Sequence, residues 1–423
     1  MITKARRLFL VLSIFVLSFA VIAAVPSNST YALNCTVTVS SGSSIQSAIN
    51  SASPGSVICV GPGTFPEQLV IDKQITLVGS GSATIIRPTS ITGDAIHPVN
   101  NVPEAPIILV NRTSGVVVED LVVDGSGVSF AGMGCGPPLY MGVLFDSASG
   151  TLQQATIENI NLGTSTLYGC QNGLAVFVQS SSGHNSVVTI SSNTVTNYQK
   201  NGITCNFAGS DCNISGNTVS PLSAAQPYIA SNGIQIAFGA EGSVTDNTVS
   251  GNECTLATYC SNDLINAAQG TGILLYQAGS SGVSITGNTL SANDIGIGMY
   301  LDPSGTVTTT GNTLQSNKYY GVVVYDENET VSGNTLSSTP VGLGVVSDTS
   351  GLTAILTYTD SFSNVDTNCQ AYTANGGVAI CKVQQAVTGV PEFGAPAALV
   401  TALSFLLVVY LRQRLTVGRP KRF

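Results

Sequence analysis

One short motif recurs six times in the middle of the chain, and it restricts the fold more than any other feature of the sequence. Each copy is a small residue followed by Asn, Thr and Val or Leu, and the asparagines are Asn193, Asn217, Asn247, Asn288, Asn312 and Asn334. Successive copies lie 24, 30, 41, 24 and 22 residues apart. A base period of 22 to 24 residues with insertions accounts for this spacing and indicates a solenoid, in which each repeat is one turn.

A second signature lies between successive copies of the motif: a glycine followed by alternating apolar residues. It begins at Gly142, Gly173, Gly202, Gly233, Gly272, Gly296, Gly321 and Gly342. Alternation predicts strands, and the runs are too short and too rich in glycine for helices. The shared period favours stacked parallel strands, with the hairpin turns of a β-sandwich as the alternative.

The recurring asparagine supplies a reason for the turns to stack. Its amide both donates and accepts, so identical side chains about 4.8 Å apart can hydrogen-bond along the solenoid. Asparagine also tolerates the left-handed backbone conformation that such turns need. We therefore predict that Asn288, Asn312 and Asn334 stack on one line.

The start of the repeat region has a distinctive order of elements. Residues 43–50 have the pattern of a short amphipathic helix, Pro54 and Gly55 form a turn, and apolar strands follow at 57–60 and 75–78. This order resembles the N-terminal cap and first coils of the pectate-lyase-like superfamily, in particular surface β-helix proteins related to NosD, the accessory protein of nitrous-oxide reductase.

The resemblance extends over roughly residues 43–348 and implies an all-β protein, a right-handed parallel β-helix solenoid with an N-terminal helical cap. About ten coils would give a length of roughly 50 Å. The resemblance implies little about function, because this superfamily contains lyases, hydrolases, esterases, epimerases and proteins without known chemistry.

The N-terminus has the order of a secretory signal. Lys4, Arg6 and Arg7 precede an apolar run at 8–24, and small and polar residues follow. We favour cleavage before Leu33, with cleavage after Ala24 as the second choice and an uncleaved anchor helix as the alternative. In each case the body of the chain is exported.

The C-terminus combines three features in a fixed order. Pro391, Glu392, Phe393 and Gly394 precede an apolar stretch at 395–411, and five basic residues follow. Seventeen helical residues reach about 25 Å, near the short limit for a membrane span, and the basic end is expected in the cytoplasm. This order resembles the PEFG-type sorting signals of archaeal surface proteins. The resemblance implies processing by an archaeosortase-like membrane peptidase, and a retained transmembrane anchor is the alternative.

These features divide the chain into four parts. We predict a signal peptide at 1–32, a right-handed β-helix at 33–350, and a C-terminal cap and stalk at 351–390. The sorting motif, a transmembrane helix and a basic cytoplasmic tail complete the chain at 391–423.

The charge of the predicted exported body is strongly negative. Between residues 33 and 394 there are six basic and 23 acidic residues, a net charge of −17. Such a surface repels nucleic acid and anionic lipid. The expected partners are the membrane, through the C-terminal helix, and envelope polysaccharide. Four sequons, at Asn34, Asn111, Asn213 and Asn328, are compatible with glycosylation.

All ten cysteines lie in the predicted exported body, where an oxidising environment favours disulfides. They are Cys35, Cys59, Cys135, Cys170, Cys205, Cys212, Cys254, Cys260, Cys369 and Cys381. Spacing leaves the connectivity open, although neighbours in sequence would form short loops. A metal site is the alternative, but paired Cys-x-x-Cys spacing and nearby histidines are absent.

The resemblance supplies active-site templates whose residues this sequence mostly lacks. No Gly-His-Gly element accompanies paired aspartates, and the only histidines are His97 and His184. The six basic residues of the body are scattered: Lys73, Arg87, Arg112, Lys200, Lys318 and Lys382. A polysaccharide lyase or glycosidase is therefore the alternative function rather than the favoured one.

One group of carboxylates is a candidate structural Ca²⁺ site. Asp124 and Asp146 are 22 residues apart, which predicts that they stack on neighbouring coils, with Asp120 close by. Stacked carboxylates repel unless they share a proton or bind a cation. The favoured interpretation is that Asp124 only ends a strand in a turn, and the Ca²⁺ site is the alternative. No other cofactor is predicted.

A copper site of the kind suggested by NosD relatives is poorly supported, because copper prefers His, Met or thiolate ligands. Besides the two histidines, the body offers only Met133, Met141 and Met299. An accessory metal-handling role is therefore the last of the alternatives.

Three tyrosines form the candidate ligand-binding surface. Tyr276, Tyr300 and Tyr325 each follow a strand glycine by four residues in consecutive coils. If Ile273 and Leu275 point inward, strand parity places Tyr276 and Gly272 outward. Three exposed rings could stack on sugars, or they could pack on one another. The favoured function is a cell-surface β-helix protein with a structural or carbohydrate-recognition role.

Overall fold

The computed structural model describes residues 34–130, 134–136, 138–163, 165–181, 183–222, 230–255, 259–279, 282–300 and 307–384. Two compact units divide between Asn34 and Cys35, and every element below belongs to the second unit. The predicted signal peptide and the stretch at 391–423 lie outside the described residues. Within the described ranges, no helix is long and apolar enough to cross a membrane.

The first part of the second unit contains one α-helix, α1 at Ile45–Ser51, and thirteen strands. The strands are β1 Val37–Val39, β2 Ser56–Val60, β3 Gly63–Phe65, β4 Leu69–Ile71, β5 Ile75–Val78, β6 Thr84–Ile86, β7 Ala95–Ile96, β8 Pro103–Asn111, β9 Val116–Glu119, β10 Val122–Asp124, β11 Leu139–Asp146, β12 Gly150–Gln153 and β13 Thr156–Glu158. Short 3₁₀ turns lie at Gly125–Gly127 and Ser165–Leu167.

In the remainder of the unit, the residues that the structure describes contain no helix, only strands. They are β14 Leu174–Gln179, β15 Ser186–Ser191, β16 Thr194–Tyr198, β17 Asn201–Asn206, β18 Ser210–Ser215, β19 Thr218–Pro221, β20 Asn232–Ala237, β21 Glu241–Thr245, β22 Thr248–Ser250, β23 Thr271–Tyr276, β24 Val283–Thr286, β25 Thr289–Ser291, β26 Ile295–Tyr300, β27 Thr308–Thr310, β28 Thr313–Gln315, β29 Tyr320–Tyr325, β30 Asn328–Ser337, β31 Val341–Ser347, β32 Thr353–Ser363, β33 Thr367–Thr373 and β34 Val378–Val383.

These strands form two long sheets around one core, and the predicted parallel β-helix is confirmed. Sheet A has 22 strands and sheet B has 12, running from β33 back to β4 with β7 beside β8. In sheet B each strand pairs in parallel with the strand one coil later, for example β23 with β26 and β26 with β29. The pairing of β7 with β8 is antiparallel.

The helix α1 lies at the start of the β-helix and buries two isoleucines. Ser44 caps its N-terminus by accepting a hydrogen bond from the Ser47 N–H. The carboxylate of Glu67 accepts from the N–H groups of Ile45 and Gln46 at 2.9 and 3.0 Å, where a negative charge complements the helix dipole. Ile45 and Ile49 are fully buried against the first coils.

The repeated Asn-Thr motif forms a corner between two strands of sheet A. The residue before the asparagine adopts the left-handed conformation, with φ of 70° at Gly287 and 68° at Gly311. The prediction that asparagine itself supplies this conformation is therefore wrong; the preceding small residue does. The Leu or Val after the threonine points into the core, and Leu290, Leu314 and Leu336 are fully buried in register.

The six asparagines form one continuous hydrogen-bonded ladder, which confirms the predicted stacking. At each step the side-chain Nδ2 donates to Oδ1 of the next asparagine at 2.9 to 3.0 Å. The backbone N–H of the same residue donates to the same oxygen. Asp360 takes the seventh position, where its Oδ1 accepts from the Asn334 N–H and Nδ2 at 2.8 and 2.9 Å.

A second, shorter ladder was not anticipated from the sequence. Asn252 donates through Nδ2 to Asn293, which donates in turn to Asn317, at 3.0 and 3.2 Å. The Asn317 N–H then donates to the hydroxyl of Thr339 at 3.2 Å. Each member follows an asparagine of the first ladder by five residues, and this constant spacing could have revealed the second ladder from the sequence.

The strand glycines face the core rather than the solvent. The register between β23 and β26 skips Gly272: Thr271 pairs with Ile295, and Ile273 pairs with Ile297. A Cβ on Gly272 would lie 2.7 Å from the Gly296 carbonyl oxygen and 2.8 Å from a Leu290 methyl. Ile273 does point inward as predicted, but the expectation that Gly272 faces outward is wrong, since the backbone turns inward at this position.

All ten cysteines are paired, which confirms the disulfide prediction. All five bridges join cysteines that are consecutive along the chain, and three of them close short loops with separations of 7, 6 and 12 residues. The pairs are Cys35–Cys59, Cys135–Cys170, Cys205–Cys212, Cys254–Cys260 and Cys369–Cys381. The short loop closed by Cys254 and Cys260 lies in the longest insertion of the ladder region.

Candidate carbohydrate-binding face

The three predicted tyrosines lie in register at one edge of the outer face of sheet B. Tyr276 pairs with Tyr300, and Tyr300 pairs with Tyr325, so the rings stand on three consecutive coils. Phe207 and Phe238 continue the series, each one residue beyond its strand, and both have left-handed φ values of 72° and 56°. We call these five residues the aromatic row. Sequence reasoning missed its two phenylalanines, because each follows its strand glycine by five residues, whereas each tyrosine follows its strand glycine by four.

Ring contacts divide the aromatic row into two groups. The Phe207 and Phe238 rings are stacked at 5.8 Å, and Tyr276 meets Phe238 edge-on at 5.4 Å. Tyr300 and Tyr325 stack at 5.6 Å with an interplanar angle of 28°. These contacts favour packing between rings, but Phe238 remains 44% exposed and the three tyrosines are half-buried. The row therefore presents aromatic surface to solvent while being supported from within.

Carboxylates flank the C-terminal end of the aromatic row. The Tyr325 hydroxyl donates to Asp348, and burial together with this contact raises the pKa of Tyr325. Asp326 accepts from the Asp348 N–H at 3.0 Å and from the Thr349 hydroxyl at 2.8 Å. Although burial acts in the opposite direction, these hydrogen bonds hold the pKa of Asp326 below its ordinary value. Both carboxylates are positioned to accept hydrogen bonds from a hydroxyl-rich ligand.

A buried polar network occupies the middle of the same sheet face. Asn232 donates to Asn201 at 3.2 Å, Asn201 donates to Gln235 at 3.0 Å, and Gln235 donates to Asn206 at 3.0 Å. All four side chains are less than a tenth exposed. The network separates two apolar clusters, one around Phe177 and the other around Tyr320 and Leu264.

A buried acid lies beside this network. Glu104 is fully buried, and its Oε2 accepts a 2.8 Å hydrogen bond from the equally buried Gln179. Burial raises the pKa of Glu104 from 4.5 to about 8, opposed by the Gln179 hydrogen bond and assisted by the charge of Asp146. The acid is thus largely protonated at neutral pH. It also fixes the hairpin of β7 and β8 to the sheet, and His97 of that hairpin contacts the Phe207 ring at 5.2 Å.

The predicted stacking of Asp124 on Asp146 is wrong. Asp124 lies in β10 of sheet A and pairs with Glu158, whereas Asp146 lies in β11 of sheet B. The reason is an insertion after β10, which lengthens this coil to 34 residues. Asp124 is instead paired with Arg87, whose Nε lies 2.6 Å from Oδ2.

Asp120 also differs from the prediction. It adopts a left-handed φ of 52° in the turn between β9 and β10, and its carbonyl oxygen accepts from the Gly81 N–H at 2.8 Å. Across the residues that the structure describes, no group of three His, Cys, Asp or Glu side chains could hold a metal ion. The three aspartates therefore have structural contacts of their own and do not converge on one site.

A pocket of about 670 Å³ lies at the last sheet B strands, beside the N-terminal ends of β29 and β31 and residues 370–372 of β33. The loop 262–265 forms one wall, residues 318–320 form another, and Gln370 and Tyr372 of β33 close it. We call it the loop pocket. Leu264 of the loop packs on Tyr320, whose hydroxyl donates to the Asn262 carbonyl at 2.7 Å.

The fully buried Asp294 holds the insertion that forms this pocket. Its Oδ2 accepts from the N–H groups of Cys254 and Gly270, at the two ends of the insertion, at 2.6 and 2.7 Å. Its Oδ1 lies 3.3 Å from the Lys318 amine, which is also 3.7 Å from Glu253. Burial raises the pKa of Asp294, against the effect of these hydrogen bonds and of Lys318.

Comparison with known proteins agrees with this architecture. Residues 141–358, just over half of the chain, match the family model described as right handed beta helix region, and the chain belongs to this family. A 79-residue stretch is 33% identical to a cell surface glycoprotein of Methanothermus fervidus. The match covers 18% of this chain and only 13% of that glycoprotein.

Solved structures with a similar fold include three enzymes. An alginate lyase from Paenibacillus sp. is 15% identical, with a TM-score of 0.46 over 81% of this chain and 100% of that one. The A-module of an Azotobacter vinelandii mannuronan C-5 epimerase is 14% identical, with a TM-score of 0.43 over 79% and 94%. An exopolygalacturonase from Thermotoga maritima is 11% identical, with a TM-score of 0.46 over 78% and 84%. At such identities the likeness is one of fold alone.

Proposed function

We propose that this protein is exported, is anchored at the cell surface, and binds envelope polysaccharide through the aromatic row. The observation that carries the proposal is the continuation of aromatic side chains over five coils, with Phe238 substantially exposed. Sugar rings present C–H faces that stack on aromatic rings, and an extended polysaccharide can contact several coils at once. Asp326 and Asp348 at the end of the row supply acceptors for sugar hydroxyls.

Export and surface location have independent support. Five disulfides and no free thiol suit an oxidising compartment. The stretch similar to an archaeal cell surface glycoprotein and the order of the C-terminal features favour the same location. The solenoid would then serve as a rigid support that holds the aromatic row at a fixed height above the membrane.

The binding proposal predicts that changing Tyr276, Tyr300 and Tyr325 together to alanine abolishes retention on immobilised envelope polysaccharide. Each ring is expected to contribute about 0.5–1.5 kcal/mol to binding beyond its buried area. Loss of one ring alone should therefore weaken the affinity for polysaccharide a few-fold to about tenfold. Retention would be measured by affinity chromatography, with thermal melting followed in parallel. The exposed Tyr259 changed to alanine is the matched control.

A result in which the triple variant melts at a lower temperature and is retained as before would contradict the proposal. The rings would then stabilise the edge of sheet B and have no part in recognition. Phe238→Ala gives a second test, because its exposed ring contributes less to packing and should weaken retention with little loss of stability.

The anchoring proposal predicts that deleting residues 395–423 releases the protein into the medium. The reason is loss of the apolar stretch and of the basic end that would hold it in the membrane. Immunoblotting of cell and medium fractions measures the release. Changing Pro391 and Glu392 to alanine should also alter the mature mass, if a peptidase reads the motif. An unchanged mass would contradict processing and leave a plain transmembrane anchor.

A further inference from the structure

We propose that the loop pocket is a second binding site that takes a neutral sugar unit and discriminates against uronates. The inference rests on the proposed role in carbohydrate binding for its ligand class. It concerns a different set of residues, since no member of the aromatic row lines the loop pocket, although Tyr325 packs on the apolar cluster around Tyr320 that borders it. The size of the pocket, about 670 Å³, suits one or two sugar rings.

The lining of the loop pocket combines aromatic surface with polar groups. Tyr319, Tyr320 and Tyr372 contribute three phenol rings. Because the Tyr320 hydroxyl donates to the Asn262 carbonyl, its 2.8 Å contact with Tyr372 requires the Tyr372 hydroxyl to donate. The Tyr372 oxygen therefore keeps a free lone pair, and a ligand hydroxyl can donate to it.

Gln370 provides a second polar group for a ligand. It lies on the pocket wall, and no described residue forms a hydrogen bond with its side-chain amide. An amide both donates and accepts, which matches the hydroxyl groups of a sugar. Gln370 is in register with Gly344 of the preceding coil, and the side chains of Leu264 and Tyr320 pack over that glycine, within 3.4 to 3.5 Å of where its Cβ would lie.

The charged groups around the loop pocket favour neutral sugars over anionic ones. Lys318 is the single cation among the described residues that line it, and Asp294 and Glu253 lie 3.3 and 3.7 Å from its amine. Lys318 also lies over the Tyr319 ring, 5.0 Å from its centroid. Asp263 on the loop is exposed, and hydrogen bonds from Asn266 and Ile265 lower its pKa, so it is ionised at neutral pH. Acidic groups therefore outnumber the one cation, and a uronate carboxylate would be repelled.

The full exported protein would be titrated with methyl α-glucoside and, separately, with methyl α-glucuronide. Isothermal titration calorimetry would measure its affinity for each. We expect the neutral glycoside to bind at least tenfold more tightly than the uronide. Gln370→Ala should lower the affinity for the neutral glycoside three- to tenfold, and Tyr319→Ala should lower it by a similar factor. Gln315→Ala, an exposed glutamine on another face of the solenoid, is the matched control and should bind as the unaltered protein does.

Equal affinity for the two glycosides would overturn the inference, and so would unaltered binding by both pocket variants. Either result leaves the aromatic row open to its own test, because the triple tyrosine variant changes no residue that lines the loop pocket. Conversely, loss of glycoside binding in the Gln370 variant with full retention of the triple tyrosine variant on polysaccharide would support the loop pocket and contradict the aromatic row.

Discussion

Replacing Asn288 by alanine should lower the free energy of unfolding by about 2–6 kcal/mol, the largest effect that we expect from a single substitution. Asn288 is fully buried near the middle of the ladder. Its Oδ1 accepts from the backbone N–H and Nδ2 of Asn247, and its Nδ2 donates to Asn312 and to the Val244 carbonyl.

The size of this effect follows from the partners that remain. Without Asn288 the Asn247 N–H loses its acceptor and the Val244 carbonyl loses its donor, both in the interior. Each unpaired buried group costs about 1–3 kcal/mol. Because each coil contacts only its neighbours, the defect also uncouples the coils on its two sides.

Urea unfolding followed by circular dichroism measures the change, and a broadened or two-step transition would report the uncoupling. Asn213→Ala is the matched control, since Asn213 is exposed and its side chain accepts only from the Ser243 hydroxyl at 2.8 Å. The control should change stability by less than about 0.5 kcal/mol. Equal losses in the two variants would show that the ladder contributes little.

The hairpin of β7 and β8 should become less stable as the pH rises from about 5 to 9. Glu104 has its pKa raised from 4.5 to about 8, mainly by burial. A carboxyl group with a raised pKa binds its proton more tightly in the folded state. Its contribution is therefore fully present below pH 4.5 and is lost as the pH rises through about 8, with a slope of up to about 1.4 kcal/mol per pH unit.

Glu104→Gln should remove this pH dependence and make the protein more stable at pH 9 than the unaltered chain. Glutamine keeps the shape and an acceptor for Gln179 and carries no charge that must be buried. Thermal melting between pH 5 and 9 measures global stability, and hydrogen exchange of residues 95–104 measures the hairpin itself. Asp366→Asn, on an exposed turn, should leave the pH profile unaltered. If the Glu104→Gln variant lost stability with rising pH as the unaltered protein does, the assignment of the pH dependence to Glu104 would be wrong.

Periodicity alone was sufficient to predict the solenoid, the stacked asparagines and the register of the three tyrosines. This is because every coil repeats the same short-range pattern. Once Asn288 and Asn312 occupy equivalent corners, stacking at the spacing of parallel strands brings them within hydrogen-bonding distance. The even number of cysteines in a body that is predicted to be exported similarly predicted full pairing, though not the connectivity.

Local predictions failed where the chain departs from regular repetition. Strand parity placed Gly272 outward, but the backbone turns inward there, and only the neighbouring coil shows that its missing Cβ makes room for the Gly296 carbonyl. The stacking of Asp124 on Asp146 assumed a 22-residue coil, whereas the insertion after β10 makes this coil 34 residues long and brings Glu158 beside Asp124.

The sequence by itself determined the repeat, the stacking of its asparagines and the disulfide content, because these follow from short-range spacing and residue type. Only the tertiary structure decided which side chains from different coils and insertions meet. It brought Glu104 to Gln179 across 75 residues, and Asp294 to the two ends of the insertion. Insertions break the period, so the contacts that they make with the regular coils depend on the folded path of the chain rather than on any spacing in the sequence.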